Sequence, residues 1–565
     1  MRRVFGYWPV LVLFMVGIWS IYGLWVVPGL PTSHDSIAHM TRIYAYKEGL
    51  LEGIFPVLWS RQMFWGIGSP VLMLNYQIPY YFVMLWHWVG FNLTDSFKLV
   101  LSFSQIASGL FMYFTLRIRY KTLPSLVGGI LYMIAPYRLL NIFVRGAMGE
   151  VFAVMFPPLI LAGIWKKSVQ LQTIGWAGLF LSHPVGSALY SGVFLGYTLW
   201  RNGFKKIIFS IKQFFIPYFL AFVMAAFNLL PTLALTKHTY YNPTNSNTLQ
   251  QFPTFRQLIY SKWGYGSSTT DTKDEMSFQI GVIQWLLAIV AMVLIVRRKK
   301  VDENNWEIAF YLAIFVGAIL LMLEKVATPF YVYLGLGRII DFPWRILMIF
   351  SFLTAMLGSQ IINAVKRKTT QWLLFLFLVL GALYTNRNHI RINAVWPWPN
   401  DSFRHGTGDA FGEYASRWRA TREGSEFYEL AEFIQGEGEI KVVLDLSSKI
   451  LVKVATKEPA IVRFNMMYFP GWMATINNKI IPIDITQSPK SNESPCFVTT
   501  RTTKNIDDSG LMACQAEAGT SSMMLQYQAL PIQRIGNLIT LVGIGIYLWI
   551  LCRSYYQRIT SGKRS

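Results

Sequence analysis

Apolar runs recur along most of the chain, at 7–27, 97–117, 123–137, 150–165, 171–186, 187–200, 211–234, 279–296, 306–323, 343–363, 371–385 and 534–552. A helix needs about 20 apolar residues to cross the hydrocarbon core, so this pattern predicts about 12 spanning helices, several of them short. One further apolar segment, Pro70 to Gly90, contains Asn75, Gln77, Pro79 and His87 and is expected to lie in or re-enter the interface without crossing.

After residue 385 the periodicity changes. Ile440-Lys-Val-Val-Leu-Asp-Leu, Ile450-Leu-Val-Lys-Val and Ala460-Ile-Val-Arg-Phe alternate as strands do, with Pro470-Gly471 and Asn477-Asn478 as turn signals between such runs. The pattern divides the chain into a helical membrane domain at 1–385, a largely β, sandwich-like domain at 386–533, and a last spanning helix with a basic tail at 534–565. The fold class is therefore mostly α and polytopic, with a C-terminal β domain on one side of the membrane.

Composition agrees. Hydrophobic residues make up 53% of the 565 and charged residues 14%, too little charge to cover a soluble protein of this size. The net charge of +22 changes the picture only through its placement. Basic clusters stand at Arg2-Arg3, Arg117 to Lys121, Lys166-Lys167, Arg201 to Lys206, Arg297 to Lys300, Lys366 to Lys368 and Arg553 to Arg564, at the ends of apolar segments. They read as topology signals and contacts to anionic membrane lipid, and nucleic acid is not an expected partner. All of them fall inside if the spans alternate without a gap and Pro70 to Gly90 does not cross. Both termini are then cytoplasmic, with the Met-Arg-Arg start an uncleaved anchor. The loop at 28–92, a second loop at 236–277 and the 386–533 domain lie outside. Three cysteines have no zinc-ligand spacing; Cys496 and Cys514 are free to pair or not, and Cys552 reads as a buried thiol in the last helix.

Candidate chemistry gathers in the first outer loop, Ser33-His34-Asp35-Ser-Ile-Ala-His39-Met-Thr-Arg42. A helix starting near Asp35 puts Asp35, His39 and Arg42 on one face and Ile37, Met40, Tyr44 and Leu51 on another, as in a helix lying in the interface. The bland alternative is an N-cap at Ser33 or Asp35. A second group, Tyr137-Arg138-Leu-Leu-Asn141 through Arg145 to Glu150, ends the third span, where Arg145 and Glu150 either line a wet cavity or form a structural pair. His183 lies between two spans, as a substrate contact or a structural histidine. In Asp341-Phe-Pro-Trp344-Arg345 the arginine is placed to meet a lipid phosphate, or to snorkel to headgroups. No phosphate-binding loop, dinucleotide fingerprint, zinc-protease motif or serine-hydrolase elbow occurs.

The runs SHDSIAHMTRIYAYKEGLLEGIFPVLWS, YRLLNIFVRGAMGE, FPWRIL, GEYASRW at 412–418 and YFPGWMATINNKIIPI at 468–483 together resemble bacterial membrane proteins labelled 6-pyruvoyl-tetrahydropterin synthase-related. These are allied to large membrane proteins implicated in lipoteichoic-acid glycosylation, and they resemble the GT-C superfamily of glycosyltransferases. The resemblance implies a GT-C-like bundle in the bacterial cytoplasmic membrane. It implies a polyprenyl-phosphate-linked sugar donor, a glycan or lipid acceptor, and a catalytic acid in the first outer loop, which maps onto Asp35. It suggests Glu150 as a second acidic group. Gly149-Glu150 stands where an Asp-x-Asp-like pair is usual, so a divalent metal ion is left open.

On this reading Asp35 is the base that takes the acceptor's proton. Arg42, Arg145 and Arg345 are candidates for the leaving phosphate, and His34, His39 and His183 for contacts to substrate. The alternatives are a transporter or flippase of lipid-linked glycans and a non-catalytic assembly factor.

Overall fold

The computed structural model describes all residues except 1–6, 242–250, 269, 271–273, 298–302, 410–411, 421–428, 486–493, 500–508 and 561–565. Among the described residues six helices are long and apolar enough to cross a membrane: Leu93–Leu116, Met148–Lys166, Ile207–Met224, Pro343–Ala364, Lys368–Asn386 and Pro531–Gln557. Two bent pairs, Thr122–Met133 with Pro136–Arg145 and Trp306–Leu320 with Glu324–Val332, raise the number to eight, and Trp8–Leu24 and Val282–Arg297 are shorter apolar helices.

Every segment expected to span is helical, and those outside these eight are shorter or more polar helices. The expected spans at 171–186 and 187–200 form the helices Val169–Phe180 and Pro184–Asn202. The first is only about 18 Å long at 1.5 Å per residue. The second carries Ser187, Ser191 and Thr198 along its length and Arg201 in its last turn. Pro70 to Gly90 forms the short helices Val71–Leu74 and Ile78–Trp88, neither long enough to span.

The Pro343–Ala364 helix is almost wholly buried and packs on Thr122–Met133 at the centre of the bundle. By contrast Ile207–Met224, Lys368–Asn386 and the last helix expose most of their apolar surface, which only lipid can cover. The chain is a multi-pass membrane protein. Cys552, expected buried, lies on the exposed surface of that last helix.

The C-terminal domain has ten strands: β1 Ala431–Gln435, β2 Gly438–Leu446, β3 Lys449–Thr456, β4 Ala460–Met467, β5 Trp472–Ile476, β6 Lys479–Ile481, β7 Ile483–Asp484, β8 Cys496–Val498, β9 Leu511–Ala516 and β10 Gly519–Tyr527. They form two five-stranded sheets, ordered β1-β4-β9-β8-β7 and β2-β3-β10-β5-β6, closing on one apolar core. Asn477 and Asn478 both adopt positive φ, 48° and 65°, and join β5 to β6 in a two-residue hairpin. That twist suits the strands, and Asn tolerates the left-handed region. Cys496 and Cys514 face each other across β8 and β9 and are disulfide-bonded.

The sandwich core is not self-contained. Trp59, Phe64, Ile67, Met73 and Leu74 of the loop after the first helix are buried in it. The Met467 amide donates to the Ile67 carbonyl (2.7 Å), and Arg61 pairs with Asp445 (2.8 Å). The segment leading into the domain returns to the same loop, Thr32 donating to Ala394 and Trp396 to Leu30 (both 2.9 Å). The first loop is therefore clamped between bundle and sandwich, which fixes where its chemical groups stand.

Candidate active site

Four stretches far apart in sequence, around Asp35, Glu150, His183 and Arg345, meet in one cluster. The amides of His34 and Asp35 donate to the carbonyls of Val144 (3.1 Å) and Arg145 (2.9 Å). These acceptors lie in a π-helical turn, Asn141–Arg145, of a kind that interrupts helices at functional sites. Gly146 ends the turn at φ +62°, and a Cβ there would lie 2.1 Å from Ser33 Oγ. Gly146→Ala combines left-handed strain with a clash and is expected to cost about 1–3 kcal/mol. A thermal unfolding scan of the reconstituted protein should show that loss as a lowered midpoint.

The helix Ser36–Leu51 follows, with Asp35 at its N-cap position and no hydrogen bond from the Asp35 side chain to the helix. Capping therefore does not account for the carboxylate. It is 36% exposed, and its partner is Arg145 Nη2 at 4.0 Å. His39 and Arg42, one and two turns on, are buried and share Tyr80, the hydroxyl lying 2.8 Å from His39 Nδ1 and accepting from Arg42 Nη1 at 3.1 Å. Burial, with Arg42 and Arg145 nearby, holds His39 well below the usual imidazole range, so the ring is neutral. His34 is exposed and ties this loop to the second one, Nε2 lying 2.7 Å from the Gly266 carbonyl oxygen. The expected apolar face does not rest on lipid. Met40 and Tyr44 are buried in protein and Leu51 is exposed, because the 396–408 segment covers that side of the helix.

Glu150 is the hub of the second stretch. Its side chain is 1% exposed, and Oε1 receives Arg145 Nη1 at 2.6 Å, with Arg345 Nε at 3.5 Å and His183 Nε2 at 3.6 Å. Oε2 accepts from Tyr137 Oη (2.9 Å) and Asn141 Nδ2 (3.0 Å). His183 Nδ1 accepts the Gly186 amide at 2.9 Å and caps the following helix, so the ring proton sits on Nε2, toward Glu150. The Arg145 guanidinium lies over the Trp344 ring at 4.8 Å. Arg345 also pairs with Asp341, one turn before it.

Asp35, Arg145, Glu150, His183 and Arg345 therefore form one connected cluster, while His39 and Arg42 join it through Tyr80 and Tyr76. Tyr76 and Tyr80 stack at 5.7 Å, and Tyr76 lies against Gly149, where a Cβ would come within 2.3 Å of the ring. The two tyrosines escaped the sequence reading because they sit in the non-crossing segment, read only for hydropathy. So did Glu413 of the GEYASRW run, which stands within electrostatic range of Arg42 and Arg345.

A divalent ion fits poorly. Among the described residues no group of three or more His, Cys, Asp or Glu side chains is placed to hold one. The second acid, Glu150, is already saturated by cations and donors that would repel a metal.

No family model matches the chain, and no curated protein matches it. Among solved structures it is similar to the arabinofuranosyltransferase AftD from Mycobacteria, at 15% identity over 69% of this chain and 26% of that one, with a TM-score of 0.39. A mutant form of that enzyme gives 14% identity, 69% and 28% coverage and a TM-score of 0.41. The apo oligosaccharyltransferase of Archaeoglobus fulgidus gives 11% identity, 72% and 57% coverage and a TM-score of 0.39. The chain thus spans about a quarter of the first two and little more than half of the third.

Proposed function

We propose that this chain is a membrane glycosyltransferase that moves a sugar from a polyprenyl-phosphate donor to an envelope glycan or lipid acceptor. The site faces outward from the bacterial cytoplasmic membrane, because the basic clusters belong at the opposite ends of the spans. The observation that carries the reading is one juxtaposition. An accessible, uncapped carboxylate, Asp35, stands 4.0 Å from the buried guanidinium of Arg145, which shares Glu150 with Arg345.

Asp35 accepts the proton of the acceptor hydroxyl as its oxygen attacks the anomeric carbon. The bond from that carbon to the phosphate oxygen breaks, and the lipid phosphate leaves with the electron pair. Its growing charge is met by guanidinium groups already oriented before reaction, which stabilises the transition state more than the ground state. Glu150 acts through Arg145 and Arg345 as a positioning residue. His34, exposed and tied to the second loop through the Gly266 carbonyl, is the candidate contact for the acceptor.

Purified protein in lipid nanodiscs, given labelled polyprenyl-phosphate sugar and a crude envelope glycan fraction, should form a new glycosidic bond detectable by mass spectrometry. Reconstituted vesicles that translocate the lipid-linked sugar without forming that bond would replace this reading with the transporter.

A further inference from the structure

Membrane lipid accounts for most of the exposed tryptophans. Trp88, Trp306, Trp372 and Trp549 are exposed on apolar helices and Trp25 lies just after one, where rings of this kind meet the headgroup region. Trp398 is 50% exposed but stands in irregular chain between the Lys368–Asn386 helix and the sandwich. The exposed residues flanking it include Arg391, Asn393, Asp401, Ser402 and Arg404. Polar neighbours with a carboxylate among them do not suit an apolar anchor in lipid.

The setting of Trp398 is rigid. The run reads Trp396-Pro397-Trp398-Pro399, and the prolines fix φ after each indole. The two indoles stack with centroids 4.8 Å apart and planes 15° from parallel. Trp396 is partly buried against the core of the first loop, and its amide donates to the Leu30 carbonyl at 2.9 Å. Trp398 is carried outward on it, with Phe403 tilted beside it at 6.2 Å.

The stack is also tied to the candidate active site. Trp396 Nε1 donates to Ser36 Oγ at 3.1 Å, and Ser36 directly follows Asp35 in the chain. The partly exposed carboxylate is thus flanked by His34 on one side and by the residue that anchors the indoles on the other.

A flat indole held in place gives a large contact area at little cost in conformational entropy. A sugar ring is its chemical match. One face of the ring is mainly C–H, whose partial positive charge suits the negative face of the aromatic system, while the hydroxyls at the rim stay free for polar neighbours.

We propose that the Trp396–Trp398 stack is a sugar-binding platform that seats a ring of the acceptor glycan beside Asp35. This deepens the transferase reading made above and rests on it. Trp398 supplies the contact face, and Trp396 positions it through Ser36. Neither takes part in bond breaking, so the platform acts by holding the acceptor where its hydroxyl reaches the base.

The test immobilises the crude envelope glycan fraction on a biosensor and passes over it the full chain in phosphatidylglycerol–phosphatidylcholine nanodiscs, with empty nanodiscs as blank. Trp398→Ala should bind about tenfold more weakly than wild type, and Trp398→Phe, which keeps an aromatic face, within about threefold of it. Trp549→Ala, on the lipid-facing last helix, should bind as wild type does. In the transfer assay Trp398→Ala should raise KM for the glycan by the same factor, with kcat and the donor KM little changed. Equal binding by Trp398→Ala and wild type, or no binding by wild type, overturns the platform and leaves the transferase reading standing. So does quenching by brominated lipid of the fluorescence that Trp398→Phe removes, which would mark a membrane anchor. Binding that depends on Trp398 with no transfer by any preparation overturns the transferase reading, and the acceptor assignment with it.

Discussion

Asp35→Asn is expected to lower the rate of sugar transfer by about 10²- to 10⁴-fold, the range contributed by a positioned general base. The loss should fall on kcat, because the acceptor's proton is taken only in the transition state, while KM for the donor moves little. Stability should be nearly unchanged. The Asp35 side chain makes no capping hydrogen bond, and its one ionic partner stands 4.0 Å away at a partly exposed position. Such a pair is worth about 0–1 kcal/mol. The asparagine retains the size and backbone contacts of the original, including the Asp35 amide bond to the Arg145 carbonyl (2.9 Å). Steady-state transfer assays beside unfolding scans of the same preparations separate the two quantities. Undiminished transfer by Asp35→Asn would remove Asp35 from the chemistry; lost transfer with a collapsed unfolding midpoint would make it structural.

Glu150→Gln should show the opposite division. The carboxylate is 1% exposed and is the shared counter-ion of two arginines. Removing one member of a buried ion pair costs about 3–5 kcal/mol, because the remaining charge keeps its desolvation penalty and loses its partner. The glutamine still offers an oxygen to Tyr137 or Arg145, but its amide group points donors at Arg145, Arg345 or His183. The unfolding midpoint should therefore drop clearly, with transfer lost in parallel. Glu150→Gln combined with Arg145→Met should recover part of the stability without recovering activity, since it removes one of the stranded charges along with the carboxylate. A variant as stable as wild type that has nonetheless lost transfer by more than about 10³-fold would instead assign Glu150 to acid–base chemistry.

These two residues show how differently the site could be read from the chain. Asp35 was legible because charged residues directly after an apolar helix, at helical spacing, are costly and call for a reason. The cap that might have explained it required geometry to reject. Glu150 was legible as a charge at membrane depth, but whether it lined a cavity or closed an ion pair depended on Arg345 and His183, which lie well beyond it in sequence. His39 looked equivalent to Asp35 on the helix face, yet burial against Tyr80 keeps it neutral. Tyr76, Tyr80 and Glu413 carry no local signal, since an aromatic in an apolar run and a glutamate in a loop have many commoner uses.

By itself the sequence determined the apolar helices, the alternating strands with their Asn-Asn turn, and a short set of candidate charges. All of these are local properties, since hydropathy over a span's length, period-two alternation and turn chemistry act within a few residues. Only the tertiary structure decided how many helices are long and bare enough to need lipid, that the first loop shares a core with the sandwich, and that Asp35, Glu150 and Arg345 meet. Those outcomes depend on packing between distant segments. A buried charge reveals its role only when the groups that compensate it are in place.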